Sequence, residues 1–281
     1  MFKILEKAEL ARGITKMVIE APLIARKAQS GQFVVLRTHD KGERFPLTIA
    51  DFDREAGTIT IIFAQIGRST QQLGTLGQGE AIRDVVGPLG VASHFDPSIK
   101  KAAVIGGGLG CAIALPQARH LKAMGVSVDM IAGFKTKDII ILEDEMKAAS
   151  DKLIITTDDG SFGVHGFVTD ALKQQIESGA EYDVVVAIGP IPMMKFVSAL
   201  TKEYGIKTIV SMNPVMIDGT GMCGGCRLVV GGKTKFACID GPDFDGHEVD
   251  FDAAMRRLAM YDGLKERSED CRLVQMADKE N

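Results

Sequence analysis

From residue 102 to residue 213, short apolar runs alternate with helical segments, and this alternation constrains the fold more than any other feature of the chain. The apolar runs are AAVIGG, VSVDMIAGF, KLIITTDDG, YDVVVAIG and KTIVSMN, and the segments between them include ALPQARHLKAMG and VTDALKQQIESG. Strands that are apolar on both faces and separated by helices form a parallel sheet covered on both sides. The sequence therefore predicts an α/β domain here.

The first hundred residues follow a different rhythm. Six short runs, FKILEKAEL, TKMVIEA, GQFVVLRT, FPLTIADFD, TITIIFAQI and EAIRDVV, are separated by turns, and several alternate apolar with polar residues. Such runs predict an antiparallel β-barrel. After about Pro214 the periodicity stops, apart from a helix expected near Asp252–Met260. We therefore predict three domains: residues 1–98 (barrel), 99–213 (parallel α/β) and 214–281 (a small cysteine-bearing module).

Composition excludes several functional classes. The chain has 281 residues, 46% of them apolar and 25% charged, which is typical of a soluble globular protein. A net charge of -4 without a basic tract gives no support for binding to nucleic acid or to a membrane surface. The chain has neither an apolar run long enough to span a bilayer nor a signal-peptide core at its start. Five cysteines, three of them clustered, argue against a disulfide framework, so we expect a cytoplasmic protein.

The run VIGGGLG, from Val104 to Gly110, follows a predicted strand and precedes a predicted helix. Glycines at such a turn let backbone amides approach a pyrophosphate, which the positive end of the helix also favours. The run departs from G-x-G-x-x-G, and a tight turn without a ligand is the alternative. Pro116 would disturb a helix already formed at Gly110, so the helix is expected to begin nearer Leu115.

Open parallel sheets bind ligands at the carboxyl ends of their strands. The other strand ends are GFKTKD, TDDGSFG and GPIPMM. Asp158 and Asp159 would repel a 2′-phosphate and accept hydrogen bonds from ribose hydroxyls, which favours NAD over NADP. A solvated turn is the alternative interpretation of this pair.

Two stretches of the predicted barrel suit a phosphate group. ERFPLTIAD places Arg44 and Thr48 around Pro46, which removes a backbone donor and indicates a strand border. IGRST, from Ile66 to Thr70, supplies a glycine–hydroxyl turn whose amides suit an anion. Each stretch alone is typical of an exposed turn, and only their combination with the α/β domain indicates a binding site.

The segment DGTGMCGGCRLVVGGKTKFAC, from Asp218 to Cys238, contains three of the five cysteines. Cys223 and Cys226 are separated by two residues, and Cys238 follows after eleven more. The plant-type iron–sulfur spacing C-x4-C-x2-C places the remaining ligand at position 218, which is an aspartate. A carboxylate carries the same formal charge as a thiolate, but it is a harder donor that ferric iron tolerates.

Other ligand sets remain open at this point. Cys271 is distant in sequence, Cys111 is expected to be a small buried residue, and Asp240, Asp243 and Asp245 follow Cys238 closely. Structural zinc held by three cysteines and a further ligand is the main alternative. The single CxxC and the x4, x2 spacing favour an iron–sulfur cluster, because zinc ribbons usually carry two CxxC pairs.

RFPLTIAD, GRST, VIGGGLG and DGTGMCGGCRLVV…FACIDGP, in this order, resemble the ferredoxin–NAD(P) reductase superfamily over essentially the whole chain. The resemblance is strongest to subunits with a [2Fe–2S] module after the nucleotide domain. These are the electron-transfer subunit of dihydroorotate dehydrogenase, which normally has four cysteines, and the small subunit of NADH-dependent reduced ferredoxin:NADP oxidoreductase, also called sulfide dehydrogenase. The DGTGMCGGCR and FACIDGP stretches are more similar to the second.

The resemblance implies three groups of site residues and no catalytic side chain. FAD would lie across the barrel, and the residues that contact it would be Arg44, Pro46, Leu47, Thr48, Ile62, Phe63, Ala64, Ser69 and Thr70. Pro46 departs from the family pattern, which often has an aromatic residue at this position. NAD(H) would bind at Gly107, Gly108, Gly110, Asp158 and Gly189. The [2Fe–2S] cluster would be held by Asp218, Cys223, Cys226 and Cys238.

The resemblance also implies an oxidoreductase subunit that passes electrons between NAD(H), FAD and the cluster. The expected partner is a larger subunit with a second flavin and [4Fe–4S] clusters, where ferredoxin and NADP(H) react, and the assembly would perform electron bifurcation. Three alternatives remain: the dihydroorotate dehydrogenase subunit, a non-catalytic zinc-binding subunit without flavin, and a stand-alone diaphorase.

Overall fold

The computed structural model describes residues 1–260, and its N-terminal part is a nearly closed antiparallel barrel. The strands are β1 (Phe2–Ala11), β2 (Ile14–Glu20), β3 (Phe33–Arg37), β4 (Phe45–Asp53), β5 (Thr58–Ala64), β6 (Ala81–Ile82) and β7 (Asp84–Leu89). Their order in the sheet is β6-β1-β2-β5-β4-β3-β7. The predicted barrel is confirmed. Two short helices, α1 (Pro22–Lys27) and α2 (Arg68–Thr75), were not predicted, and IGRST is the start of α2 rather than an isolated turn.

The second part is a parallel sheet with helices between its strands, as the apolar runs predict. Its elements are β8 (Lys101–Gly107), α3 (Gly110–Ala123), β9 (Ser127–Phe134), α4 (Glu143–Ala148), β10 (Lys152–Thr157), β11 (Val164–His165), α5 (Val168–Glu177), β12 (Val184–Ile188), α6 (Ile191–Glu203) and β13 (Lys207–Ser211). The strand order is β11-β10-β9-β8-β12-β13, and all these neighbours are parallel. None of the helices within residues 1–260 is long and apolar enough to cross a bilayer.

Helix α3 begins at Gly110, so the prediction of a start near Leu115 is wrong. Pro116 lies inside this helix, where a proline removes a backbone hydrogen bond at a cost of about 3 kcal/mol. Nine of the fourteen residues of α3 are buried. Packing against the parallel sheet and the barrel offsets the missing hydrogen bond, and sequence periodicity does not reveal that packing.

The segment after residue 213 is joined to the parallel sheet by strand pairing. It contains β14 (Arg227–Val230), β15 (Lys233–Phe236), α7 (Ala237–Asp240), β16 (Asp243–Asp245) and α8 (Phe251–Ala259). Strands β14 and β15 form a hairpin, and β16 extends the parallel sheet as an antiparallel neighbour of β13. The predicted C-terminal helix is confirmed as α8. Cys271 and the end of the predicted third domain lie outside the described residues, and the domain boundaries stay a prediction.

One hydrophobic core contains residues from all three parts of the chain. Alternate residues of β3 face opposite ways: Val34 and Leu36 pack inside the barrel, whereas Phe33 and Val35 pack with the parallel sheet. The same core includes Cys226, Cys238 and the β8 residues Ala103 and Ile105. The three parts therefore share packed side chains.

A buried polar network connects the same three parts. Ser93, which follows the barrel, donates a hydrogen bond to Asp243 of β16, and Gln117 of α3 donates to Ser93 at 2.5 Å. Burial raises the pKa of Asp243 above its ordinary value. These contacts fix α3 against the end of the barrel.

Candidate functional site

Strands β4 and β5 separate where the sequence predicts the flavin site. Their pairing ends at Ile49 and Ile61, after which residues 45–48 of β4 pair only with β3 and residues 62–64 of β5 pair only with β2. The two facing backbone edges are therefore unpaired with each other within residues 1–260. The predicted residues lie on both sides of this opening: Arg44 precedes β4, Pro46, Leu47 and Thr48 lie on β4, and Ile62, Phe63 and Ala64 lie on β5. Pro46, which lacks a backbone donor, faces Val35 of β3.

The two polar stretches of the barrel meet at the N-terminus of α2. The Ser69 hydroxyl donates a hydrogen bond to the Glu43 carboxylate at 2.7 Å, which brings the segment containing Arg44 against the helix. The Thr70 hydroxyl donates to the Gly67 carbonyl at 3.0 Å. A helix N-terminus with two hydroxyls and an arginine segment suits a pyrophosphate. Glu43 is exposed and must leave Ser69 if a phosphate takes its place.

The glycine-rich turn joins β8 to α3 at the point where the strand order reverses. Strand β8 lies between β9 and β12, and the crevice beside such a point is where open α/β sheets bind ligands. Any Cβ at Gly110 would overlap the carbonyl oxygen of Ile188 and lie 2.8 Å from Cα of Gly189. Only glycine lets α3 begin this close to the end of β12.

Met193 is a residue of this crevice that sequence reasoning missed. Its side chain lies against both Gly107 and Gly189, because a Cβ on Gly107 would overlap its sulfur and one on Gly189 would lie 2.9 Å from its Cε. The other side of the turn is open, since nothing lies within 4 Å of a Cβ built at Gly108. The GPIPMM stretch at a strand end was the only sequence signal for Met193.

Asp158 follows β10 and is exposed. Strand β9 separates β10 from β8, so Asp158 lies roughly 10 Å from the glycine-rich turn across the sheet. The Asp159 carboxylate accepts from the Ser161 hydroxyl at 2.6 Å and from the Ser161 amide at 3.0 Å, and these bonds lower the pKa of Asp159. The end of β10 therefore presents negative charge.

Asp218 and Cys223 are in direct contact at the outer side of the cysteine loop. Asp218 Oδ1 accepts from the Thr220 amide at 2.5 Å, and Oδ2 accepts from the Cys223 amide at 2.7 Å. These hydrogen bonds, that of Thr220 foremost, hold the pKa of Asp218 well below its usual range. Cys223 is exposed, and its sulfur accepts from the Gly225 amide at 3.4 Å. Asp218 is thus an ionised carboxylate beside a thiol, and both groups can bind a metal.

Cys226 and Cys238 form a second, inner pair. Their exposed fractions are 1% and 4%, and the two side chains lie beside each other. Burial and the neighbouring Cys226 raise the pKa of Cys238, while a hydrogen bond from the Gly221 amide acts against this rise. Two buried thiolates in contact need a cation between them, and iron or zinc supplies one.

The loop fits a two-iron cluster. No set of three His, Cys, Asp or Glu side chains within residues 1–260 converges on a single metal position. A [2Fe–2S] cluster needs two protein ligands on each iron, and the outer and inner pairs offer this arrangement. Gly219 has a left-handed φ of 77°, and a Cβ there would lie 2.8 Å from Val35 and 3.2 Å from Leu89. The loop therefore rests directly on β3 and β7 of the barrel.

Known proteins are similar to this chain over most of its length. Residues 213–250 match the family model of the iron–sulfur cluster binding domain of dihydroorotate dehydrogenase B. A Thermotoga maritima protein, described as a homologue of the electron-transfer subunit of dihydroorotate dehydrogenase B (NAD(+)), is 43% identical over 92% of this chain and 91% of its own length. The Bacillus velezensis electron-transfer subunit of that enzyme is 34% identical over 86% of this chain and 95% of its own length.

One solved structure matches this chain in three dimensions. It is the structure of an NADH-dependent reduced ferredoxin–NADP oxidoreductase, described as giving insights into flavin-based electron bifurcation. Its chain is 39% identical, covers 96% of this chain and 97% of its own length, and superposes with a TM-score of 0.91. The predicted fold, iron–sulfur module and flavin- and nicotinamide-dependent oxidoreductase class are confirmed at the level of the family. The chain belongs to the family of dihydroorotate dehydrogenase B electron-transfer subunits and their homologues, which share the ferredoxin reductase-like fold.

Proposed function

We propose that this chain passes electrons between NAD(H), FAD and a [2Fe–2S] cluster and delivers them to a larger partner in an electron-bifurcating NADH-dependent ferredoxin:NADP oxidoreductase. The structure and sequence similarity to such an oxidoreductase supports this proposal. Flavin bound at the barrel would supply the means to exchange a hydride with the nicotinamide and single electrons with the cluster. The chain itself positions the three groups and excludes water, and no side-chain acid or nucleophile is needed.

The observation that carries the proposal is the core shared by Phe33, Val35, Cys226 and Cys238. Phe33 and Val35 lie on β3, which pairs with the segment of β4 that borders the opening where flavin is proposed to bind. The inner cysteines therefore occupy a fixed position relative to the barrel. Packed interiors resist displacement, so the separation between the two redox groups is held constant.

The proposed flavin residues are Arg44, Pro46, Leu47, Thr48, Ile62, Phe63, Ala64, Ser69 and Thr70. The proposed nucleotide residues are Gly107, Gly108, Gly110, Asp158 and Gly189, to which we add Met193. For the cluster we propose that Asp218 and Cys223 hold one iron and that Cys226 and Cys238 hold the other, because each pair is already in contact.

Cofactor content is the first test. The anaerobically purified chain should contain about one flavin, two iron and two sulfide per chain. Zinc without flavin would instead support the structural zinc alternative and contradict the proposal. A chain that reduces dyes with NADH but gains nothing from any partner would be the diaphorase.

We expect Asp218→Cys to shift the reduction potential of the cluster to more positive values. A carboxylate is a harder donor that stabilises ferric iron, and a thiolate removes this preference. Asp218→Ala should lower iron occupancy at least ~10-fold. Potentiometric EPR titration and iron analysis check both variants, with Asp240→Ala as the control, because Asp240 hydrogen-bonds the Phe236 amide and not the loop cysteines. Unchanged spectra and iron content in both Asp218 variants would remove Asp218 from the site.

An exposed apolar rim around the cysteine loop supports docking of a partner there. Met222 is 89% exposed, Ile217 56% and Ile239 49%. Large apolar side chains clustered on a surface usually mark an interface. The proposed partner is a larger subunit with a second flavin and [4Fe–4S] clusters, and its placement over the loop would give electrons a short exit.

Met222→Glu should weaken assembly with the larger subunit by at least ~10-fold in Kd, because it places a charge in an apolar contact. The cluster and the NADH-dependent dye reduction should be unchanged. Leu23→Glu is the matched control, since Leu23 is 73% exposed on α1 of the barrel. Co-expression followed by sedimentation analysis checks both variants, and equal assembly of Met222→Glu and wild type would contradict docking at this rim.

The final acceptor separates the proposal from its main alternative. The bifurcating complex should reduce ferredoxin with NADPH only when NAD is also present. A complex that reduces NAD with dihydroorotate and ignores ferredoxin would instead be dihydroorotate dehydrogenase. Full-rate reduction of ferredoxin by NADH with the isolated chain would count against both assemblies.

A further inference from the structure

Helix α8 places the side chain of Arg257 in contact with the cysteine loop. Nη2 of Arg257 donates a hydrogen bond to the carbonyl oxygen of Gly225 at 3.1 Å. Gly225 lies between Cys223 and Cys226, and its amide donates to the Cys223 sulfur at 3.4 Å. We infer that Arg257 is a positioning residue that fixes the loop between these two cysteines and raises the reduction potential of the cluster. This inference rests on the proposed function, because it presupposes that the cluster is bound.

The helix that carries Arg257 is firmly placed. At its N-terminus, Asp250 Oδ1 accepts from the Ala253 amide at 2.8 Å. Lys195 of α6 forms an ion pair with Asp252 at 2.6 Å. Phe251 is buried in the core that contains the inner cysteines. Arg257, two turns further along, therefore reaches the loop from a fixed base.

The contact fixes the orientation of one peptide unit next to a ligand. The peptide between Gly225 and Cys226 is trans, so its N–H points away from the carbonyl that Arg257 binds. The space between α8 and the loop is a cavity of about 10 Å³, lined by Arg257, Gly225 and neighbouring residues. Such a cavity has room for about one water at most. A shorter side chain at position 257 leaves the Gly225 carbonyl without its protein donor.

The charge of Arg257 acts on the same site. The guanidinium carries a positive charge, and reduction of a cluster adds one negative charge. A fixed positive charge beside the loop stabilises the reduced form and raises the potential. Two other basic side chains of this module contribute less: Arg227 is exposed and screened by solvent, and Lys235 is paired with Asp240 at 3.4 Å. Arg257 is partly buried, so its charge is screened less.

The test compares Arg257→Gln, Arg257→Lys and Arg256→Gln with wild type in the full chain. Arg256 is the matched control, because it lies on the same helix and is exposed. We expect Arg257→Gln to shift the cluster potential to more negative values in an EPR-monitored titration and to lose iron to a chelator several-fold faster. Arg257→Lys keeps the charge, so its potential should stay near that of wild type while iron loss is still faster. In Arg256→Gln the cluster potential and the rate of iron loss should equal those of wild type. The flavin potential should be unchanged in every variant.

Three results would overturn the inference. One is a wild-type potential and rate of iron loss in Arg257→Gln, and another is an equal shift in Arg256→Gln. Should Arg257→Gln not accumulate as a folded chain, a wild-type rate of iron loss in Arg257→Lys would be the third. A wild-type chain without iron and sulfide would refute the proposed function together with this inference, whereas a cluster-bearing wild type with an unaffected Arg257→Gln refutes this inference alone.

Discussion

Replacing Cys226 with alanine should remove iron and sulfide from the purified chain while flavin remains bound. Cys226 is 1% exposed and pairs with Cys238, so no water or nearby side chain easily replaces its sulfur. Changes to groups that only support metal ligands cost about 10–100-fold in metal affinity, and loss of a ligand should cost more. Iron and sulfide analysis with the visible spectrum measures the effect. Reduction of ferricyanide by NADH should persist, because that reaction needs only flavin and nicotinamide.

Cys111→Ala is the matched control for this variant. Cys111 is also fully buried, but it lies beside the glycine-rich turn and outside the cysteine loop. Burial raises the pKa of its thiol to about 12. Iron content should equal that of wild type in Cys111→Ala. Full iron and sulfide occupancy in Cys226→Ala would show that the cluster is held elsewhere.

Gly110→Ala should abolish tight binding of NAD(H) and lower the stability of the α/β part. The added Cβ would overlap the carbonyl oxygen of Ile188. The backbone fixes the positions of both the Cβ and this oxygen, so the turn must move. Overpacking of this kind costs about 1–3 kcal/mol. We expect the Kd for NADH to rise at least ~10-fold, equivalent to about 1.4 kcal/mol. Fluorescence titration with NADH and thermal unfolding measure the two effects.

Gly125→Ala separates backbone strain from loss of the binding turn. Gly125 follows the C-terminus of the same helix with a φ of 84°, and no atom lies within 4 Å of a Cβ built there. Alanine in this left-handed conformation costs about 1–2 kcal/mol. Its stability should therefore fall by a similar amount to that of Gly110→Ala, but its Kd for NADH should not change. Equal NADH affinity in wild type and Gly110→Ala would place the nucleotide elsewhere.

Local patterns of the sequence predicted most of the secondary structure. Alternation in runs such as FPLTIADFD and continuous apolar character in AAVIGG distinguish barrel strands from parallel strands, because burial on one or two faces is a local property of a strand. Pro116 shows the limit of this reasoning. A local rule ends or starts a helix at proline, but α3 continues through it because most of its residues are buried in tertiary contacts.

The sequence by itself determined the order of barrel, parallel sheet and cysteine module. It also placed Asp218 at the ligand spacing of the three cysteines. Both follow from the sequence because spacing along the chain and strand periodicity are properties of adjacent residues. Only the tertiary structure decided that β4 and β5 separate beside Pro46, that Met193 covers Gly107, and that Arg257 reaches Gly225. Each of these contacts joins residues far apart in the chain. They depend on how the sheet and helices pack, and packing is set by the shapes of all the buried side chains together rather than by any one segment.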